Sequence, residues 1–274
     1  MKAVKILLSG LLVTGGFTAP FGVSPASAFH SGEIASPIAA KESLVDFTLY
    51  DKVPKFKKTV SFDKVIWTGN HIKLVANIVE DEHVPAFESK VIESIVITKG
   101  KVKHTIKTDH YTEKLHEVQS VVHSKSGNWV SIQASKSAGY AIILVNLKTG
   151  ESRILNDLLV KAGKKGVESI PAWNWSPEGD KIAISYGNTE KSSLAVYDAN
   201  AGAFEYLPRT TNYISTGLVL WHINGKALDY ISEYPSDQMS LYRYNAVSNK
   251  VKLIKKITLK EFQQFLKLDK PIHT

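Results

Sequence analysis

Turn residues recur along this 274-residue chain at a nearly constant interval. Thr98-Lys99-Gly100-Lys101, Lys148-Thr149-Gly150-Glu151, Asn200-Ala201-Gly202-Ala203 and Val247-Ser248-Asn249-Lys250 each separate two strand-like runs. Gly100, Gly150, Gly202 and Asn249 are 50, 52 and 47 residues apart. Glycine and asparagine tolerate the positive φ of a tight hairpin. A second turn precedes each of these by 23 to 30 residues, at Trp67–Asn70, Ser124–Gly127, Ser176–Gly179 and His222–Gly225. Alternating runs follow it: Lys73–Ile78, Trp129–Gln133, Lys181–Ser185 and Ala227–Ile231.

Two turns per period make each unit a four-stranded meander, with strands A to D. In the clearest unit these are Ile170–Trp175, Lys181–Tyr186, Leu194–Asp198 and Ala203–Leu207. One such sheet cannot bury both faces, so neighbouring units must stack on it. The alternative is a β-sandwich. Turns that hold register over four units favour an all-β chain folded as a small β-propeller of four to five four-stranded blades. Leu44–Tyr50 and Phe56–Val60 read as half of a fifth blade. Thr258 and Glu261 form a capping box ahead of a short C-terminal helix, whose apolar face is Leu259, Phe262, Phe265 and Leu266. That helix is expected to plug the ring or cover an edge.

Trp175-Ser176-Pro177-Glu178-Gly179-Asp180-Lys181-Ile182-Ala183-Ile184-Ser185 resembles the repeat of TolB-like (WD40-like, PD40-type) propellers. Propeller domains of prolyl-oligopeptidase-type enzymes carry the same repeat. The match is good over 170–208 and weaker over 58–257. Trp67 and Trp221 keep the tryptophan, and Val122 stands in its place in the second unit. The resemblance implies a fold and little about activity.

The chain starts with the marks of export. Lys2 and Lys5 precede the apolar run Ile6–Val13, and Ala26-Ser27-Ala28 has the small residues of a cleavage site. The run is too short to span ~30 Å of hydrocarbon. The expected organisation is a signal peptide over 1–28, a flexible leader over 29–43, propeller repeats over 44–257, and a helix and tail over 258–274. The product is then secreted or extracytoplasmic, without a membrane span. There are no cysteines, which excludes disulfides and thiolate metal sites. A cysteine-free exported protein suits a Gram-positive bacterium. The formal charge of +8 falls to +6 without Lys2 and Lys5, and suits adhesion to an anionic wall polymer. No nucleic-acid-binding motif is present.

The A–B and C–D turns are tight, whereas the connections at the other end of each unit are long. The B–C loops are 79–90, 134–139, 187–193 and 233–238. The D–A loops are 107–116, 155–169 and 208–214. Binding residues concentrate on such loops. The expected ligand-binding set is Glu80, Asp81, Glu82, His83, His110, Tyr111, Glu190, Glu233, Tyr234 and Asp237. Asp109, Lys161, Lys164 and Lys165 add to the same face.

Chemistry is harder to find. His104, His110, His116 and His123 lack the spacing of a zinc site. There is no H-E-x-x-H, no G-x-S-x-G, no phosphate loop and no G-x-G-x-x-G. No catalytic residue, metal ligand or cofactor is expected. The reading is a secreted, non-catalytic propeller that binds a protein or an anionic cell-envelope polymer, possible wall association included. The alternative is a small propeller enzyme, a hydrolase or lyase acting on a carbohydrate or small ester, with Glu80, Asp81, His110 and Tyr234 as acid–base groups.

Overall fold

The computed structural model describes residues 46–51, 56–82, 89–233 and 238–269. The expected signal peptide and leader lie outside the described residues, as do His83, Tyr234 and Asp237. Among the described residues the strands form four antiparallel sheets, each a simple meander. Sheet I holds β1 (Lys57–Val60), β2 (Lys64–Gly69), β3 (Ile72–Glu80), β4 (Lys90–Lys99) and β5 (Val102–Lys107). Sheet II holds β6 (Glu117–His123), β7 (Trp129–Lys136), β8 (Gly139–Asn146) and β9 (Ser152–Ile154). Sheet III holds β10 (Ser169–Trp175), β11 (Lys181–Gly187), β12 (Ser192–Asp198) and β13 (Ala203–Tyr206). Sheet IV holds β14 (Ser215–Trp221), β15 (Ala227–Glu233), β16 (Met239–Asn245) and β17 (Lys250–Lys256).

The expected turns set these hairpins. Gly100, Gly150, Gly202 and Asn249 all have positive φ, and so do Asn70, Gly127, Gly179 and Gly225. In sheets II to IV an Asx residue shapes the C–D turn. Asn146 Oδ1 accepts the amides of Lys148 and Thr149, Asp198 those of Asn200 and Ala201, and Asn245 those of Val247 and Ser248. The first strands of sheets II, III and IV also each carry a bulge, at 118/120, 169/172 and 216/218.

Four apolar layers follow in succession. Sheet I packs on sheet II through Trp67, Leu74, Ile95, Val121, Ile132 and Ile143. Sheet II meets sheet III through Trp129, Ile142, Leu144, Trp173, Trp175 and Ile184. Sheet III meets sheet IV through Val196, Val219, Trp221, Leu228 and Tyr230. The far face of sheet IV carries Leu218, Leu220, Ile231 and Leu241, and no further sheet covers it among the described residues. Instead helix α2 (Leu259–Asp269) lays Phe265, Phe262 and Leu266 on it, together with Phe47 and Tyr50. Gly217 leaves room for the Phe262 ring, which a Cβ would meet at 3.2 Å. The capping box is present: Glu261 N–H donates to Thr258 Oγ1, and Thr258 N–H to Glu261 Oε2. The helix thus covers the outer face of sheet IV.

Six sequence-based expectations need correction. Leu259 is 62% exposed and leaves the apolar face, because the helix meets sheet IV from Phe262 onward. Phe56–Val60 starts no fifth blade: β1 adds to β2 as a fifth strand of sheet I. Within Leu44–Tyr50, residues 47–49 form a 3-10 turn and Tyr50 bridges His222 of sheet IV. The 155–169 loop contains helix α1 (Leu155–Lys161), which buries Leu155 and Leu159. The 134–139 loop shrinks to two residues, with β7 running to Lys136 and β8 starting at Gly139. In the second unit the register also puts His123, not Val122, in the place of Trp175 and Trp221. His123 faces Val130 as Trp175 faces Ile182, and Ser124 N–H reaches Trp129 O as Ser176 N–H reaches Lys181 O.

Two buried carboxylates fasten the stack at its tight-turn end. Asp180 accepts hydrogen bonds from Ser126 Oγ, Asn128 Nδ2 and Asn200 Nδ2, which joins sheet II to sheet III. Asp229 accepts two from Arg243, both 2.8 Å, and one from Tyr50 Oη at 2.6 Å. His222 Nε2 lies 3.1 Å from Asp229 Oδ2, without the alignment of a hydrogen bond.

Candidate functional site

At the long-loop end, three separate connections enclose a pocket of about 390 Å³ beside sheet III. The α1–β10 connection supplies Gly163, Lys164, Lys165 and Gly166. The β11–β12 turn supplies Gly187, Asn188 and Lys191, and the segment after β13 supplies Leu207 and Arg209. Tyr186 and Tyr206 form aromatic wall.

Local chemistry fixes each part. Asn188 Oδ1 accepts the amides of Glu190 and Lys191, which curls the turn and brings Lys191 to the pocket. Only glycine fits at 187, because a Cβ there would fall 1.9 Å from the Lys191 carbonyl oxygen. The Lys164 ammonium rests 3.4 Å from the Tyr206 ring centre. The Arg209 guanidinium lies 5.8 Å from the ring centre of Tyr213. Tyr213 is itself fixed by its hydroxyl contacts with Tyr230 and Thr210.

Charge in this pocket is uncompensated. Its lining holds Lys164, Lys165, Lys191 and Arg209, and no carboxylate. Arg209 Nε and Nη2 are buried and have no hydrogen-bond partner. Leaving such donors unmet costs about 1–3 kcal/mol or more. These two N–H groups form one edge of a planar fork that matches an oxyanion bidentately. Burial raises the pKa of Tyr186, and Tyr206 adds to the rise, while the Arg209 charge opposes it.

The acidic set behaves differently. Glu80 and Glu82 are exposed at the end of β3. Asp81, between them, pairs with Lys114 at 3.4 Å. Glu233 accepts from Ser215 Oγ at the end of β15. Glu190 is exposed in the 188–191 turn and lies outside the pocket lining. His110 and Tyr111 pack ring edge to ring face, with 4.4 Å between centres. His110 also sits 3.4 Å from Asp109, and Tyr111 Oη reaches Ser152 Oγ. Burial raises the Tyr111 pKa. Glu80, Asp81 and Glu82 are thus neighbours along one segment, as are His110 and Tyr111.

The four clustered histidines also have separate partners. His104 contacts Leu147 O, His116 contacts Lys90 O, and His123 contacts Asn70 Nδ2 and Ser124 O. Among the described residues, no three His, Asp or Glu side chains come together as metal ligands. The sequence reading missed Arg209, Lys191 and the tyrosines. Of this lining it names only Lys164 and Lys165, although Lys191 and Arg209 lie in the 187–193 and 208–214 loops of the same expected face.

No family model matches the chain, and no curated protein matches it. Solved structures do. TolB from Acinetobacter baumannii is 18% identical over 66% of this chain and 41% of its own, with a TM-score of 0.39. A candidate TolB from Agrobacterium tumefaciens is 10% identical over 74% of this chain and 82% of its own, at 0.37. A candidate 6-phosphogluconolactonase from Bacteroides fragilis is 12% identical over 76% and 58%, at 0.41. The chain therefore spans under half the length of the Acinetobacter protein. TolB proteins, which the 170–208 repeat brought to attention, are among the structures it is similar to.

Proposed function

We propose that this protein is an exported, non-catalytic binding module, and that its four sheets are the blades of a small propeller. Its long-loop end captures an anionic cell-envelope polymer. The observation that supports this reading is the Arg209 edge, buried without an acceptor in a pocket whose other charges are three lysines. A polymer segment with repeated oxyanions supplies the missing acceptors and meets the net positive chain. The expected signal peptide over 1–28 supports delivery across the membrane, and the cysteine-free composition supports a Gram-positive wall as destination. No helix among the described residues is long and apolar enough to cross a membrane.

The test is retention of the purified protein on immobilised polyglycerol phosphate across a salt series. Arg209→Gln should weaken retention at least tenfold at 0.15 M salt. Lys148→Gln, exposed in a tight turn at the opposite end, should leave it unchanged. Retention by Arg209→Gln equal to the parent would remove the site. Salt should weaken binding by the parent, since Lys165 and Lys191 are exposed and open to screening.

A further inference from the structure

The tight-turn end holds a second site, independent of the basic pocket. Trp221 closes β14 there. Its indole is 7% exposed, and its Nε1–H has no hydrogen-bond partner. Trp175, in the same place one sheet earlier, is satisfied: its Nε1 donates to Ser131 Oγ at 2.8 Å. Register explains the difference. Ser131 follows Val130, the residue opposite His123 in sheet II. In sheet III the corresponding place, after Ile182 opposite Trp175, is Ala183. Ala183 is fully buried in the same apolar layer as Trp221, and its side chain carries no acceptor. The group that serves Trp175 is missing where Trp221 needs it.

Trp221 instead lines a pocket of about 80 Å³. Val122, Trp175, Pro177 and Ile223 give it apolar walls. At its mouth Asp51 and Lys125 form an exposed ion pair of 3.0 Å. The site thus offers the unmet Trp221 N–H, the polar side chains of His123, Asn174 and Ser176, apolar walls and a charged rim. A carboxylate would pay heavily for burial between these apolar walls, whereas an amide carbonyl would not. The volume suits one small group and leaves a larger carrier outside. Aromatic and aliphatic walls suit a methyl group, and the rim suits hydroxyls.

We propose that this pocket binds the acetamido group of an N-acetylated sugar. The carbonyl oxygen accepts the Trp221 N–H. The methyl packs against Trp175 and Pro177, and the sugar ring stays at the mouth beside Ile223 and the Asp51–Lys125 pair.

The experiment follows the indole N–H resonances of the full protein by NMR, with N-acetylglucosamine, glucosamine and Nε-acetyl-lysine as probes. The Trp221 resonance, assigned by its loss in Trp221→Phe, should shift saturably with N-acetylglucosamine. Glucosamine should bind at least tenfold more weakly. Ala183→Ser places an acceptor where sheet II has Ser131. It should fold, occupy the Trp221 N–H internally and lower sugar affinity at least tenfold. If Trp221→Phe does not fold, the resonance altered in Ala183→Ser identifies Trp221. A Trp221 resonance unmoved through ~10 mM sugar, the weak end of single-group recognition, overturns the proposal. Unchanged sugar affinity in Ala183→Ser does so too. Tighter binding of acetyl-lysine than of the sugar overturns the choice of carrier.

Discussion

Asp180 and Asp229 are both buried carboxylates near the tight turns, yet their surroundings are opposite in kind. Asp180 is 4% exposed and held by neutral hydroxyl and amide donors from two sheets. Asp229 is 1% exposed and held by a guanidinium, a histidine and a phenol. For both, burial pushes the carboxyl pKa up, and for both the hydrogen bonds outweigh it and leave the group below its usual range. Asp180 joins sheets that already share a large apolar layer. Asp229 fixes Tyr50, and with it the segment that helps α2 cover the open face of sheet IV. A neutral network suffices between neighbouring sheets. The charged one sits where the stack ends and an added chain segment must be held.

The largest effect should come from Asp229→Ala. It leaves Arg243 and Tyr50 without their common acceptor. Breaking a buried pair on one side costs about 3–5 kcal/mol. The Arg243 side chain is 34% exposed and partly rehydrates, which places the loss near the lower end, at about 3 kcal/mol. Asp180→Ala strands only neutral donors, some of them reachable by water, and should cost about 1–3 kcal/mol. Urea unfolding of both variants measures this. Equal losses would end the distinction between the two networks.

The sequence displays one of these networks and hides the other. Asp180 belongs to the Trp175–Ser185 repeat and sits in a turn whose glycine could be read directly. Asp229 lies within the alternating run Ala227–Ile231, where nothing marks it as inward and charged. The same contrast runs through the fold. Hairpins depend on local φ, so all eight turns were legible. Strand β1 joins sheet I by an edge pairing that composition does not encode. Helix α1 was within reach, since Leu155, Leu158 and Leu159 have helical spacing, but short runs between strands read as loop. Arg209 could not be read as a site residue, because its pocket draws on three connections spread over 163–209. The Trp221 vacancy becomes visible only once the register equates Ala183 with Ser131.

Acid sharpens the comparison. A group with a depressed folded pKa stabilises above its unfolded value of about 3.9, and that stability is lost as pH falls further. Both aspartates therefore stabilise the fold at pH 7 and cease to do so as pH drops through 4 and below. Protonated Asp180 still accepts from its neutral donors. Protonated Asp229 leaves the Arg243 cation without its counter-charge. Asp180→Asn should thus keep most of the parent's loss of stability between pH 6 and pH 3, whereas Asp229→Asn should flatten it. Urea midpoints over that range decide the point, and similar slopes for the two variants would assign the acid sensitivity elsewhere.

The smallest effect tests what the charged network is for. Tyr50→Phe removes one hydrogen bond to Asp229 and keeps the ring edge contacts with His222 and Phe265. Asp229 retains both Arg243 bonds, so the global loss should be only about 0.5–1.5 kcal/mol. The local consequence should be larger than the global one. Phe47 and Tyr50 share the sheet IV layer with Phe265, so loosening one side of that cover exposes the other. Amide exchange in α2 should accelerate in Tyr50→Phe while β7 and β11, buried between apolar layers, keep the parent's protection. Uniform acceleration across all sheets would mean that Asp229 stabilises the whole stack as Asp180 does, and that its charge has no special bearing on the end of the array.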